Sequence, residues 1–95
     1  MSDKTKQKPK SGELTMDFSA FILSLNASSL IHLGEIPDPQ SRERTVNVSA
    51  AKHTIEILEI LKEKTAGNLD KDENKLLDDI LYILRLKFLQ HSKTE

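Results

Sequence analysis

The sequence predicts an all-α fold: a three-helix protomer that closes as a helical-bundle homodimer and carries a disordered basic tail at its N-terminus. Three observations predict it. Apolar residues recur at helical spacing in three stretches, about 17–34, 48–66 and 71–90, while the strict alternation of a half-buried strand is absent. Glycine and proline fall between those stretches and separate them. Two of the three helices carry more apolar surface than one small core can cover, and a second copy would cover the remainder.

Composition sets the frame for these elements. The chain has 95 residues, 31% of them charged and 37% hydrophobic, which suits one small domain near the size where a single core becomes marginal. Its 14 basic and 15 acidic residues give a net charge of −1, so no global field selects an acidic or basic partner. Without cysteine there are no disulfides, thiolate metal sites or cysteine nucleophiles. Met1–Lys10 is not followed by the apolar core of a signal peptide, and a cytoplasmic location is the expectation.

Taken in order, the chain divides into a tail at 1–13 and a single helical domain at 14–92. Residues 1–12 hold Lys4, Lys6, Lys8 and Lys10 against Asp3, a local charge of 4 − 1 = +3. A segment so poor in apolar side chains cannot offset the entropy of ordering it. Its lysines could touch phosphate, but they offer no base-reading pattern.

The first helical stretch, Asp17 to Gly34, has no charged residue between Asp17 and Glu35. It falls short of the roughly 20 predominantly apolar residues that a bilayer needs, and Ser19, Ser24, Asn26, Ser28, Ser29 and His32 interrupt it. Its apolar residues divide between two opposite faces. Phe18, Phe21, Ile22, Leu25 and Leu33 form the bulkier face, expected to pack inward. Ala20, Leu23, Ala27, Leu30 and Ile31 form the other, expected to be a subunit interface, where small residues let a partner helix approach closely. Gly34 ends the stretch, and Pro37-Asp38-Pro39 opens a polar connector whose middle, Gln40–Thr45, should lie in solvent.

The second helix, Val48 to about Ala66, is the most regular. Asn47 is its expected N-cap. Ala50, Ala51, Thr54, Ile57, Leu58, Leu61 and Thr65 cover one face and Lys52, Glu56, Glu59 and Glu63 the other, with Ile55 and Ile60 on the shoulders. Gly67 supplies the left-handed residue that lets the chain turn, and Lys62 and Lys64 suit the negative end of the helix dipole. The third helix starts at a capping box made by Asp70 and Glu73. Leu76, Leu77, Ile80, Leu81, Ile83, Leu84 and Phe88 give it a broad inward face. Tyr82, Leu86 and Leu89, at i, i+4 and i+7, form a second stripe that joins the expected interface.

The same helices lack the patterns of a catalytic or metal-binding site. His53 and Glu56 are three apart, but a di-iron bundle needs repeated Glu-x-x-His pairs and more inward carboxylates. No glycine-rich phosphate loop, serine nucleophile elbow or inward carboxylate pair is present. No enzyme, cofactor or metal is therefore expected. A helix-turn-helix reading of the second and third helices fails on charge, because the third opens with Asp70, Asp72 and Glu73, which phosphates repel. Specific nucleic-acid recognition is not expected.

The blocks DFSAFILSLNASSLIHLGEIPDP and TIEILEILKEKTAGNLDKDENKLLDDILYILRLKFL contain a Phe-Ser start, a Gly-x-x-Pro-Asp-Pro connector and a Glu-Lys-Thr-x-Gly-Asn-Leu joint. Across roughly Phe18 to Phe88 they resemble a bacterial family of small helical proteins, domain of unknown function 1844; Gln40–Thr45 departs from its pattern. The resemblance implies a cytoplasmic helical protein and brings no catalytic residues. The expected function is a self-association or protein-interaction module. Its alternatives are a helical bundle that binds a small molecule or lipid, and a nucleic-acid accessory protein acting through the lysine tail.

Overall fold

The computed structural model describes residues 16–93, so the basic tail expected at 1–13 lies outside the described residues. Three helices make up the fold: α1 (Phe18–His32), α2 (Val48–Lys64) and α3 (Lys71–Lys93), each packed against the other two. No strand occurs among the described residues.

Local chemistry explains where each helix begins and ends. The Asp17 carboxylate accepts a hydrogen bond from Ala20 N–H at 2.8 Å and caps α1. The helix stops at His32, short of the expected Gly34, because two reversed bonds replace the helical ones. Gly34 N–H donates to the Ile31 carbonyl at 3.0 Å and Glu35 N–H to the Leu30 carbonyl at 2.9 Å, with Gly34 at φ +76°. The Asn47 side chain caps α2 by accepting from Ala50 N–H at 3.0 Å. That helix ends at Lys64, where the Thr65 hydroxyl donates to the Leu61 carbonyl at 2.6 Å, and Gly67 at φ +85° turns the chain. The capping box of α3 is reciprocal: Glu73 N–H donates to Asp70 at 2.8 Å and Asp70 N–H to Glu73 at 2.9 Å. This helix runs to Lys93, beyond the expected end at Gln90.

Ile22 of α1, Ile55 and Leu58 of α2, and Leu77, Ile80, Leu81 and Leu84 of α3 form the core. Burying each such side chain stabilises by ~1.5–3 kcal/mol relative to leaving it exposed. Phe18, Leu25, Leu30, Leu61, Leu69, Leu76 and Phe88 pack around this cluster. Four positions differ from their expected faces. Ile55 is buried, not on a shoulder; Leu30 packs on the core, not outward; Phe21 and Ile83 are 39% and 47% exposed instead of inward. Ser29 is wholly buried with its hydroxyl unbonded among the described residues.

Side chains also strap the helices together. Lys62 pairs with Asp78, and Arg85 reaches Glu59 at 3.0 Å, both tying α2 to α3. These pairs are exposed, which limits each to roughly 0–1 kcal/mol. Between α1 and α2 the chain closes on itself, with Asn47 N–H donating to the His32 carbonyl at 2.6 Å. Within that connector Asp38 organises a smaller turn. Its N–H donates to Glu43, its carbonyl accepts from Arg42 N–H at 2.7 Å, and its carboxylate accepts from Gln40 N–H at 2.7 Å. Arg42 takes a left-handed φ of 62° at the tip of this turn, and Gln40–Thr45 is exposed as expected.

Candidate functional site

Two apolar surfaces remain once the core is filled. On α1, Leu23 is 47% exposed and Ala27 is exposed beside it, while Ala20 and Ile31 are half-buried. Ser24 interrupts this face but donates its hydroxyl to the Phe21 carbonyl at 2.6 Å, so its proton is satisfied within the helix. Leu30 has turned to the core, which narrows the expected α1 face to Ala20, Leu23, Ala27 and Ile31.

On α3, Tyr82, Leu86 and Leu89 are 65%, 46% and 53% exposed. The i, i+4, i+7 spacing places them on one strip of the helix surface. Ile83 is also exposed, although its position in the apolar repeat pointed inward. Sequence periodicity finds such a stripe because exposed and buried apolar rows on one helix share the same spacing. It cannot tell which row faces the core.

A groove of ≈ 330 Å³ opens between α2 and α3, lined by Ile55, Phe88 and Leu89 with Lys52, Glu56, Glu59 and Arg85 at its polar edges. No local pattern marks it, since it forms only when two separate helices come together. Leu89 belongs to both the groove and the α3 stripe, which makes the two continuous. Arg85 donates to Glu59 from Nε at 3.2 Å and from Nη2 at 3.0 Å, and this pair neutralises one polar edge. Such a groove suits an apolar or aromatic group with a polar tip.

A third feature is polar. Glu35, just after α1, accepts from Lys87 at 3.1 Å and makes a 2.9 Å hydrogen bond with His91 Nε2, both on α3. The His91 hydrogen bond, and then the Lys87 one, hold the Glu35 carboxyl below its ordinary value despite partial burial. The contact joins a connector to a helix 52 and 56 residues away in sequence, and local patterns carry no signal for it. Its charges are mutually satisfied, which suits a structural tie.

Among the described residues no group of three His, Asp or Glu side chains, His32, His53 and His91 included, could hold a metal ion. Among the described residues no helix is long and apolar enough to cross a membrane. No curated protein and no solved structure matches the chain. A family model does match it, over residues 15–90, and that range takes in α1, α2, both joints and α3 as far as Gln90. The chain belongs to the family described as Domain of unknown function (DUF1844).

Proposed function

We propose that this protein is a non-enzymatic self-association and protein-interaction module, a helical-bundle homodimer working in the bacterial cytoplasm. One observation carries the reading: Leu23 and Ala27 on α1, and Tyr82, Leu86 and Leu89 on α3, stay exposed around a core already complete without them. Isolated exposed apolar residues are ordinary, whereas an aligned stripe on a small domain is a docking feature. A homodimer is the commonest way to cover one.

Light scattering across micromolar concentrations tests this, with a mass near twice the protomer's expected. A monomer at high micromolar concentration overturns the proposal. The α2–α3 groove favours a second reading, in which the bundle holds a small apolar molecule or lipid chain against Ile55, Phe88 and Leu89. Native mass spectrometry of protein purified from its source cells separates the two. A bound non-protein mass on a monomer supports the ligand reading, and a bare dimer supports self-association.

A further inference from the structure

The two flanks of α2 differ in charge. Lys52, Glu56, Glu59 and Glu63 form one helical row, and it lies toward α3, since Glu59 accepts from Arg85 and the neighbouring Lys62 pairs with Asp78. Ala50, His53, Ile57, Ile60 and Lys64 form the row on the opposite flank, and it holds no acid. Ile60 is 54% exposed, and His53 and Lys64 are exposed with it. A helix of a three-helix bundle has one flank for each neighbour, so this acid-free row borders α1. α1 itself contains no Asp, Glu, Lys or Arg.

On α3, Lys87 and His91 reach the end of α1 from one flank, and Asp78 and Arg85 reach α2 from the other. That order fixes the hand of the bundle and places Phe21, also exposed, on the flank of α1 beside α2. The two helices run antiparallel, joined where Asn47 bonds to His32, so the start of α1 and the end of α2 share one end of the bundle. Phe21 and Ile60 both stand near that end. Met16, 73% exposed, lies there too, and the chain before it holds Lys4, Lys6, Lys8 and Lys10 against Asp3 and Glu13, or 4 − 2 = +2.

We propose that the face formed by α1 and α2 docks on an anionic phospholipid surface, with Phe21 and Ile60 entering the boundary of the acyl chains and Lys64 and the N-terminal lysines at the phosphates. Charge selects this occupant. The chain as a whole carries −1, yet the acidic row of α2 and the whole of α3 lie behind this face. Asp17, at its border, is bonded to Ala20 N–H. A few inserted side chains hold a protein on lipid only weakly, and basic residues beside them supply the second attraction that peripheral binding needs. The self-association reading rests on Leu23, Ala27 and the α3 stripe and uses neither Phe21 nor Ile60, so this proposal goes beyond it and does not depend on it.

Flotation of the full chain with phosphatidylglycerol vesicles, compared with vesicles of phosphatidylcholine alone, tests the proposal. We expect binding at least tenfold tighter to the anionic vesicles, weakening as salt is raised. Ile60→Ser and Lys64→Glu should each weaken it several-fold. Lys4→Gln, Lys6→Gln, Lys8→Gln and Lys10→Gln together should weaken it at least tenfold, and Glu63→Gln, on the other flank, should change it less than twofold. Ile60, Glu63 and Lys64 are exposed, and circular dichroism verifies that each variant is folded. No binding to either vesicle overturns the proposal, and so does equal binding to both. Vesicle binding that Ile60→Ser leaves unchanged, and that a short DNA duplex matches at the same salt, also overturns it, because lysines alone would then be contacting phosphate. Sedimentation velocity reads the mass of each variant separately, so a lost dimer and a lost membrane contact are told apart.

Discussion

The two joints between helices use the same backbone device in different surroundings. Each has a glycine with positive φ, Gly34 at +76° after α1 and Gly67 at +85° after α2. Around Gly34 the fold is crowded: an added Cβ would lie 2.9 Å from the Val46 Cγ2 and 3.4 Å from the Thr45 carbonyl oxygen. Around Gly67 nothing lies within 4 Å of that position. The first joint is also tied outward, through Asn47 N–H to the His32 carbonyl and through Glu35 to Lys87 and His91. The second is held by contacts between near neighbours, the Asp70–Glu73 capping box and the Thr65 hydroxyl on Leu61. One glycine thus answers to tertiary packing and the other to backbone conformation alone.

Substitution can break this contrast directly. Gly34→Ala carries the largest expected effect, a loss of about 2 kcal/mol, because the left-handed strain of ~1–2 kcal/mol is joined by the displacement of Val46. Guanidinium titration measures it, and a value equal to that of Gly67→Ala would erase the contrast. Combining Gly34→Ala with Val46→Ala removes the atom in the way. In that background the Gly34 substitution should fall to about 1 kcal/mol, as a double-mutant cycle would read out. Gly67→Ala should cost about 1 kcal/mol, from conformation alone. A near-zero value there would mean that the turn relaxes to another shape.

The smallest effect concerns the tie from the first joint to α3. Folded Glu35 holds its proton less readily than the unfolded chain does, so its contribution is complete above the ordinary glutamate range. It then falls away as pH drops through the lowered native value. Glu35→Gln should therefore be slightly less stable than wild type near neutrality, with the gap closing on acidification. Urea midpoints measured from neutral to acid pH give the comparison; a gap that does not change with pH would show that the carboxylate's charge plays no part in the tie.

The same contrast explains how much of the molecule the sequence made legible. Asn47, Asp70, Glu73 and Gly67 act within a few residues of themselves, and their local chemistry identified them. The long repeats of α2 and α3 placed Leu58, Leu77, Leu81 and Leu84 in the core for a similar reason. In α1 the repeat was ambiguous, since apolar residues occupy both faces, and Phe21 and Leu30 exchanged expected roles across that ambiguity. The stripe at Tyr82, Leu86 and Leu89 was visible as a pattern. The groove beside it was not, because it is formed by residues such as Lys52 and Phe88 that meet only across helices. Ser29 was equally hidden: nothing local marks one serine among several as the one to be buried.

The connector between α1 and α2 is fastened twice, by Asn47 on His32 at its base and by Asp38 on Glu43 and Arg42 nearer its tip. A loop closed at its base passes little of what happens at its tip on to the helices. Lengthening a flexible loop adds only about 0.6 kcal/mol of closure entropy for each doubling. The exposed run from Gln40 to Thr45 is therefore the place where this small protein can acquire new sequence, by natural drift or by the grafting of a peptide epitope, while its helices keep their register.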